Sequence, residues 1–199
     1  MRSTSVLILS LVLFTNSLFS QNIFVDSNRI ALCFNGSSLW SDASQTISVT
    51  GGIAVGGILD FNYQYSSTSV ERQNYFDESE YNVHSFLISV ILSKRKMQVS
   101  LDFSLAAGNS TTLFILGFGL ARKYPLGTSL EAVFNLSTGI AFNLNEFPQK
   151  QEFAFALSGD LFIGEVVYFG PGIGYSASEF FYGLNLGFVL SFSSNQTKQ

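Results

Sequence analysis

The chain has 199 residues, 47% of them hydrophobic and only 12% charged, with a formal net charge of -4. A soluble domain usually carries about a quarter charged residues, so there is too little charge here for a water-facing coat. The acidic balance argues against a basic nucleic-acid surface, and the sequence has no metal-ligand cluster and no Lys-Ser or Lys-Thr behind its glycine runs to hold a phosphate.

Met1-Arg2 is a short basic start, and residues 6–14 are apolar apart from Ser10. Polar and small residues follow from Thr15 to Ser20, so residues 1–20 read as a secretory signal peptide cleaved before Gln21, with 21–199 as a single domain. Cys33 lies beyond Asp26 and Arg29 and follows Leu32, which excludes a lipoprotein acceptor; as the lone cysteine it founds no disulfide framework. After residue 20 no run of about 18 apolar residues can make a spanning helix. High apolarity without helical spans leaves the closed β-barrel, the other fold that satisfies its backbone in lipid.

A period of two runs along the mature chain, as strands with one apolar face require. Residues 29–40 set Ile30, Leu32 and Phe34 against Arg29, Ala31, Cys33 and Asn35. Residues 45–50 form a short, weak strand through Ile47 and Val49, with Gly51-Gly52 expected as a two-residue turn. Ile53, Val55, Leu59, Phe61, Tyr63 and Tyr65 then face away from Ala54, Gly56, Asp60, Asn62, Gln64 and Ser66. Residues 67–82 are polar, acidic and unpatterned, the longest expected loop. In 83–93 the alternating residues are His84, Phe86, Ile88, Val90 and Leu92, ending at the basic turn Lys94-Arg95-Lys96. Met97, Val99, Leu101, Phe103 and Leu105 continue without a slip against Gln98, Ser100, Asp102 and Ser104.

Past a small loop at 108–112, Phe114, Leu116, Phe118 and Leu120 alternate with Ile115, Gly117, Gly119 and Ala121. Pro125 and Gly127 mark the next turn. Leu130, Phe134, Leu136, Ile140 and Phe142 oppose Glu131, Asn135, Ser137 and Gly139, and a second polar loop fills 143–151. Phe153, Phe155, Leu157, Leu161 and Ile163 oppose Ala154, Ala156, Ser158 and Asp160. In 166–175, Val167, Phe169, Ile173 and Tyr175 oppose Tyr168, Gly170, Gly172 and Gly174; Pro171 cannot donate to a ladder, which predicts a bulge or frayed end. The last stretch, 182–192, sets Tyr182, Leu184, Leu186, Phe188, Leu190 and Phe192 against Gly183, Asn185, Gly187, Val189 and Ser191.

The count is ten strands, or eight if 45–50 and the Pro171 segment are not spans. The fold class is therefore an all-β, antiparallel, up-and-down transmembrane barrel. An even number, with short turns near Gly51, Arg95, Pro125 and Gly164 and the two long loops at the other end, suits a bacterial barrel entered from the periplasm. This pattern, an export signal followed by alternating spans and a last strand ending in Phe192, resembles the small outer-membrane β-barrel proteins of the OmpA/OmpX type. The resemblance is architectural and implies residence in the outer membrane of a Gram-negative-type bacterium, contact with its lipids and folding by barrel-assembly machinery. It also implies a structural, adhesive or other envelope role without catalysis, and less often a lipid- or peptide-cleaving activity. Residues 193–199 extend past the aromatic that usually closes such chains.

His84 is the only histidine and the one candidate for a rim enzyme, beside Asp77, Glu78 and Glu80, but alternation turns it outward with Phe86 and Ile88. Asp60, Asp102, Glu131, Asp160 and Asn185 face the lumen, with Arg29 and Lys123 as expected partners. An interior of this width is expected to be filled with side chains, with a narrow pore as the rival reading. No catalytic, cofactor or metal residue is assigned. A monomer is expected, with any external ligand meeting residues 67–82.

Overall fold

A computed structural model describes residues 29–42, 44–70, 79–93, 97–108, 111–145, 151–164, 166–176 and 179–193. The expected signal segment, the turn Lys94-Arg95-Lys96 and residues 194–199 lie outside them. Ten strands are present: β1 (Arg29–Trp40), β2 (Ser44–Val55), β3 (Leu59–Val70), β4 (Ser79–Ser93), β5 (Gln98–Gly108), β6 (Thr112–Pro125), β7 (Leu130–Asn143), β8 (Gln151–Ile163), β9 (Val167–Ser176) and β10 (Glu179–Ser193). Each pairs antiparallel with its sequence neighbours, and β1 pairs with β10 to close the barrel.

The alternation read from the sequence decides which face each side chain takes. On β10, Leu184 is 57% exposed and Leu186 60%, while Asn185 between them is 4% exposed. A barrel with an apolar core would show the reverse. From Tyr182 to Phe192 the outward face is apolar over ten residue steps, about 33 Å along the strand and about 25 Å along the axis at the ~40° tilt usual for barrels, which matches the apolar band of outer-membrane barrels. Aromatic residues mark its edges. At the end carrying Trp40, called the upper end, Trp40 stacks on Tyr182 at 6.0 Å and Tyr175 meets Phe180 at 4.9 Å. At the lower end, Arg122 lies 4.8 Å over the Tyr124 ring.

Four local expectations are corrected. Gly51-Gly52 is not a turn: β2 runs through it, Gly51 beside the Phe34 ring and Gly52 under the Asn62 side chain, so neighbouring strands fill the space these glycines leave. The turn is Gly56-Gly57, both at φ 55, closed by the Ile58 amide donating to the Val55 carbonyl at 3.0 Å. Two consecutive left-handed residues make the tight hairpin turn whose twist suits the strands. Residues 67–82 are also not all loop, because β3 continues to Val70 and β4 begins at Ser79, paired from Ser67↔Asn82 to Val70↔Ser79. Residues 71–78 lie outside the described set.

Pro171 produces neither a bulge nor a frayed end. It pairs with Leu184 in an unbroken ladder to β10. The ladder to β8 is interrupted between Ser158↔Gly172 and Leu161↔Phe169 and resumes in the same register. The missing N–H therefore falls on the β8 side. Conversely, β4 does slip: the register with β5 shifts between Ile91 and Ser93, leaving Leu92 as an extra, outward residue.

The interior is layered. Near the lower end Ala31, Cys33, Ala54, Val133, Phe162, Tyr168 and Val189 form one apolar cluster. Near the upper end Val83, Leu113 and Ile115 belong to a second cluster, and Leu39 and Phe181 to a third. On β1, β7, β8 and β10 the polar residues lie between these layers: Asn35 and Ser37, Asn135 and Ser137, Ser158 and Asp160, and Asn185.

Candidate functional site

The chemistry this chain offers is in the polar layer of the lumen and at the upper rim. In the lumen Lys123 pairs with Glu131, as expected from their shared inward face near the lower end of β6 and β7. Asp160 and Asn185 are also brought together, the Asn185 amide donating to the carboxylate at 2.7 Å. The Asn135 amide donates to the other carboxylate oxygen at 2.9 Å and reaches Ser158 Oγ at 3.1 Å. These residues stand on β7, β8 and β10. They meet because β9 contributes only Gly170 and Gly172 in between, and a Cβ on Gly170 would come within 2.7 Å of the Asp160 carboxylate.

Asp102 accepts from Ser100 Oγ at 3.4 Å and lies over Gly119. Arg29 and Asp60 both face inward at the lower end. Asp102 and Asp160, expected to meet cations, are held among the described residues by hydroxyl and amide groups instead. A second polar wall covers β2 and β3, where Thr46 and Thr68 hydroxyls bond at 2.7 Å, Ser66 donates to Ser48 at 3.0 Å, and Gln64 donates to Ser66 at 2.6 Å. Cys33 is a buried free thiol on the small-residue face, as its parity predicts.

Sequence reasoning missed the apolar layers. Phe162 and Tyr168, each 1% exposed, stack at 4.8 Å across β8 and β9 at the lower end of the lumen. Tyr168 lies over Gly187 of β10, where a Cβ would come within 2.4 Å of the phenol. The signal was available: Phe162 has the parity of Asp160.

At the upper rim His84 is exposed on the outer face, as predicted. Its Nδ1 is hydrogen-bonded to the Tyr63 hydroxyl at 2.6 Å, and the Tyr65 ring packs beside it at 5.2 Å. Above it Tyr65 donates to Asn82 at 2.7 Å and Ser67 to Glu80 at 2.7 Å. Glu80 is thus engaged with Ser67, and Asp77 and Glu78 lie outside the described residues. The pairs form a ladder climbing from the edge of the apolar band into water, and His84 is its lowest rung.

No family model matches the chain, and no curated protein does. Similar solved structures include the KdgM porin, at 9% identity and a TM-score of 0.48, covering 78% of this chain and 98% of the porin. LpxR from Salmonella typhimurium matches at 8% and 0.48, covering 81% of this chain and 99% of its own, and the beta domain of the Bordetella autotransporter Brka at 9% and 0.46, covering 84% and 100%. Likeness at this level carries no argument about ligand or activity. The barrel's own surfaces carry the assignment: a closed ladder and an apolar outer band with aromatic residues at its edges make this an integral outer-membrane β-barrel.

Proposed function

We propose that this barrel is non-enzymatic and closed to solute flow, with an envelope role carried by its upper, outward-facing end. It belongs in this reading with the small filled barrels of which the OmpA/OmpX type, with about eight strands, is an example. The observation that carries it is the filled lumen: the Phe162–Tyr168 stack and its apolar neighbours lie below the hydrogen-bonded polar layer, with Leu39 and Phe181 above. The two longest connections, β3–β4 and β7–β8, are at the upper end, whose other connections are short, and every connection at the lower end is short. That asymmetry supports an external upper end, where a ligand would meet the β3–β4 hairpin. Lipids contact the outer band, assembly machinery inserts the chain, and the barrel acts as a monomer without a cofactor.

Planar-bilayer recording is the test. The expected result is a folded, inserted protein without unit conductance steps; discrete steps would replace this reading with a narrow pore. His84→Ala addresses the enzyme alternative. With His84 only an interfacial partner of Tyr63, the variant should fold, insert and leave lipid composition unchanged, whereas a change in lipid acylation confined to this variant would restore a catalytic rim.

A further inference from the structure

On the outer face, β1 interrupts the apolar band. Its outward residues above Phe34 are Gly36 and Ser38, small where their register partners on both sides carry large apolar side chains. Gly36 pairs with Val49 of β2 and Leu186 of β10, and Ser38 with Ile47 and Leu184. These four side chains are exposed and stand as two walls. The backbones of β2 and β10 lie two strand spacings apart, ~10 Å, so the walls leave a trough about one strand wide. The trough also has ends. Below, the Phe34 ring stacks on Phe188 at 5.1 Å and lies beside Gly51, closing it across all three strands. Above, Trp40 stacks on Tyr182 at 6.0 Å, next to Gln45. With Val167 and Phe169 on its β9 flank, the groove encloses about 940 Å³, within the ~300–1,000 Å³ usual for ligand clefts.

The trough is continuous with the lipid-facing band, and that fixes the kind of occupant. In hydrocarbon no hydrophobic force draws a partner in, so van der Waals contact decides. A chain lying in the trough meets a floor and two walls, whereas one on the flat band meets a floor only. A second copy of the barrel is the poorer fit. A two-fold contact through this face would set trough against trough and leave a hollow. We infer that the trough seats one acyl chain of a membrane lipid, its carbonyl end at Trp40 and Tyr182 and its tail against Phe34. From Trp40 to Phe34 is six residue steps, ~20 Å along the strand and ~15 Å along the axis, which is about one leaflet's share of the apolar band. The chain therefore comes from the leaflet at the upper end, the external one on the reading proposed above.

The probe is a phosphatidylcholine carrying a nitroxide on one chain, titrated into the refolded full chain in dodecyl maltoside. Trp40 is the sole tryptophan, so its fluorescence reports a quencher at the mouth of the trough. With the nitroxide near the carbonyl, quenching of wild type should saturate at one lipid per barrel; with the nitroxide at the chain end it should be weaker. Gly36→Leu fills the floor without a clash, because a Cβ there meets only the Ser48 carbonyl oxygen, at 4.0 Å. It should fold to the heat-modifiable form and need about tenfold more lipid for half-quenching, and Ser38→Leu carries the same expectation should Gly36→Leu not fold. Thr138→Leu, outward on β7 across the barrel, should titrate as wild type does. Quenching that rises linearly with lipid, alike in wild type and Gly36→Leu, would overturn the site. A cross-linked wild-type dimer lost in Gly36→Leu would give the trough to a second copy, and stronger quenching from the chain end would overturn the direction of entry. These readings hold whichever way the barrel faces in cells. Labelling of the β3–β4 hairpin on intact cells tests the outward reading by itself, so the two can fail separately.

Discussion

Along β2 and β3 the lumen is lined by side chains of modest size that satisfy one another, whereas along β8 to β10 it is lined by bulk set against glycine. In the first wall Thr46 bonds Thr68 and Ser48 bonds Ser66 across the ladder, each strand contributing half of a pair, while Gln64 bonds Ser66 along β3. In the second, Tyr168 lies over Gly187 and Asp160 over Gly170, so one strand fills the space that another leaves. The two solutions differ in what they tolerate. A hydroxyl pair can lose a member and keep its shape, while a glycine beneath a neighbour's backbone has no room to give.

The largest expected effect tests the second wall. A Cβ on Gly170 would come within 2.1 Å of the Gly159 carbonyl oxygen and 2.8 Å of Asp160 Cα, both backbone atoms. Gly170→Ala should therefore cost more than the ~1–3 kcal/mol typical of overpacking, and most of the protein should fail to reach the heat-modifiable folded form on an unboiled gel. Normal folding of this variant would show that β8 and β9 are not pressed together at Pro171.

A second experiment asks whether both walls face the lumen at all. Phe103 points outward at 38% exposure near the middle of β5, and Ser104 beside it is 3% exposed. Phe103→Arg should lower stability in bilayers by about 2–4 kcal/mol, the usual effect of a cation on the lipid face near the midplane. Ser104→Asn at nearly the same depth should lose clearly less. Equal losses in refolding titrations, or a larger loss at Ser104, would turn the barrel inside out.

Facing and strand number were legible in the sequence because a period of two needs only side-chain character, and Leu101, Phe103 and Leu105 supply it without ambiguity. Strand ends were less legible, for three physical reasons. A glycine pair reads as a turn whether its backbone is left-handed, as at Gly56-Gly57, or extended beneath Phe34 and Asn62, as at Gly51-Gly52. Above the apolar band the outward positions Ser67, Ser69 and Glu80 meet water, so the alternation fades while the β3–β4 ladder continues. Pro171 disturbs only the ladder on the side its nitrogen faces. The Asp160 cluster was half legible: parity placed Asp160, Asn135 and Asn185 inside, but their meeting depends on β9 presenting glycine between them.

The smallest expected effect tests the first wall. Thr46 and Thr68 are buried and their hydroxyls bond at 2.7 Å. Thr46→Val keeps the shape of the side chain and leaves Thr68 Oγ1 without its partner, which should cost about 1 kcal/mol. Replacing both by Val removes donor and acceptor together and should recover most of that loss, because an apolar pair of the same shape leaves no buried polar atom unsatisfied. Bilayer unfolding midpoints of the two single variants and the double variant close a thermodynamic cycle, with an expected coupling on the order of 1 kcal/mol. Additive losses would mean that each threonine is satisfied elsewhere and that the wall is not built from mutually bonded pairs. Coupling of the expected sign, beside a Gly170→Ala variant that does not fold, would place the tolerance of this lumen in β2 and β3 and its stringency in β8 to β10.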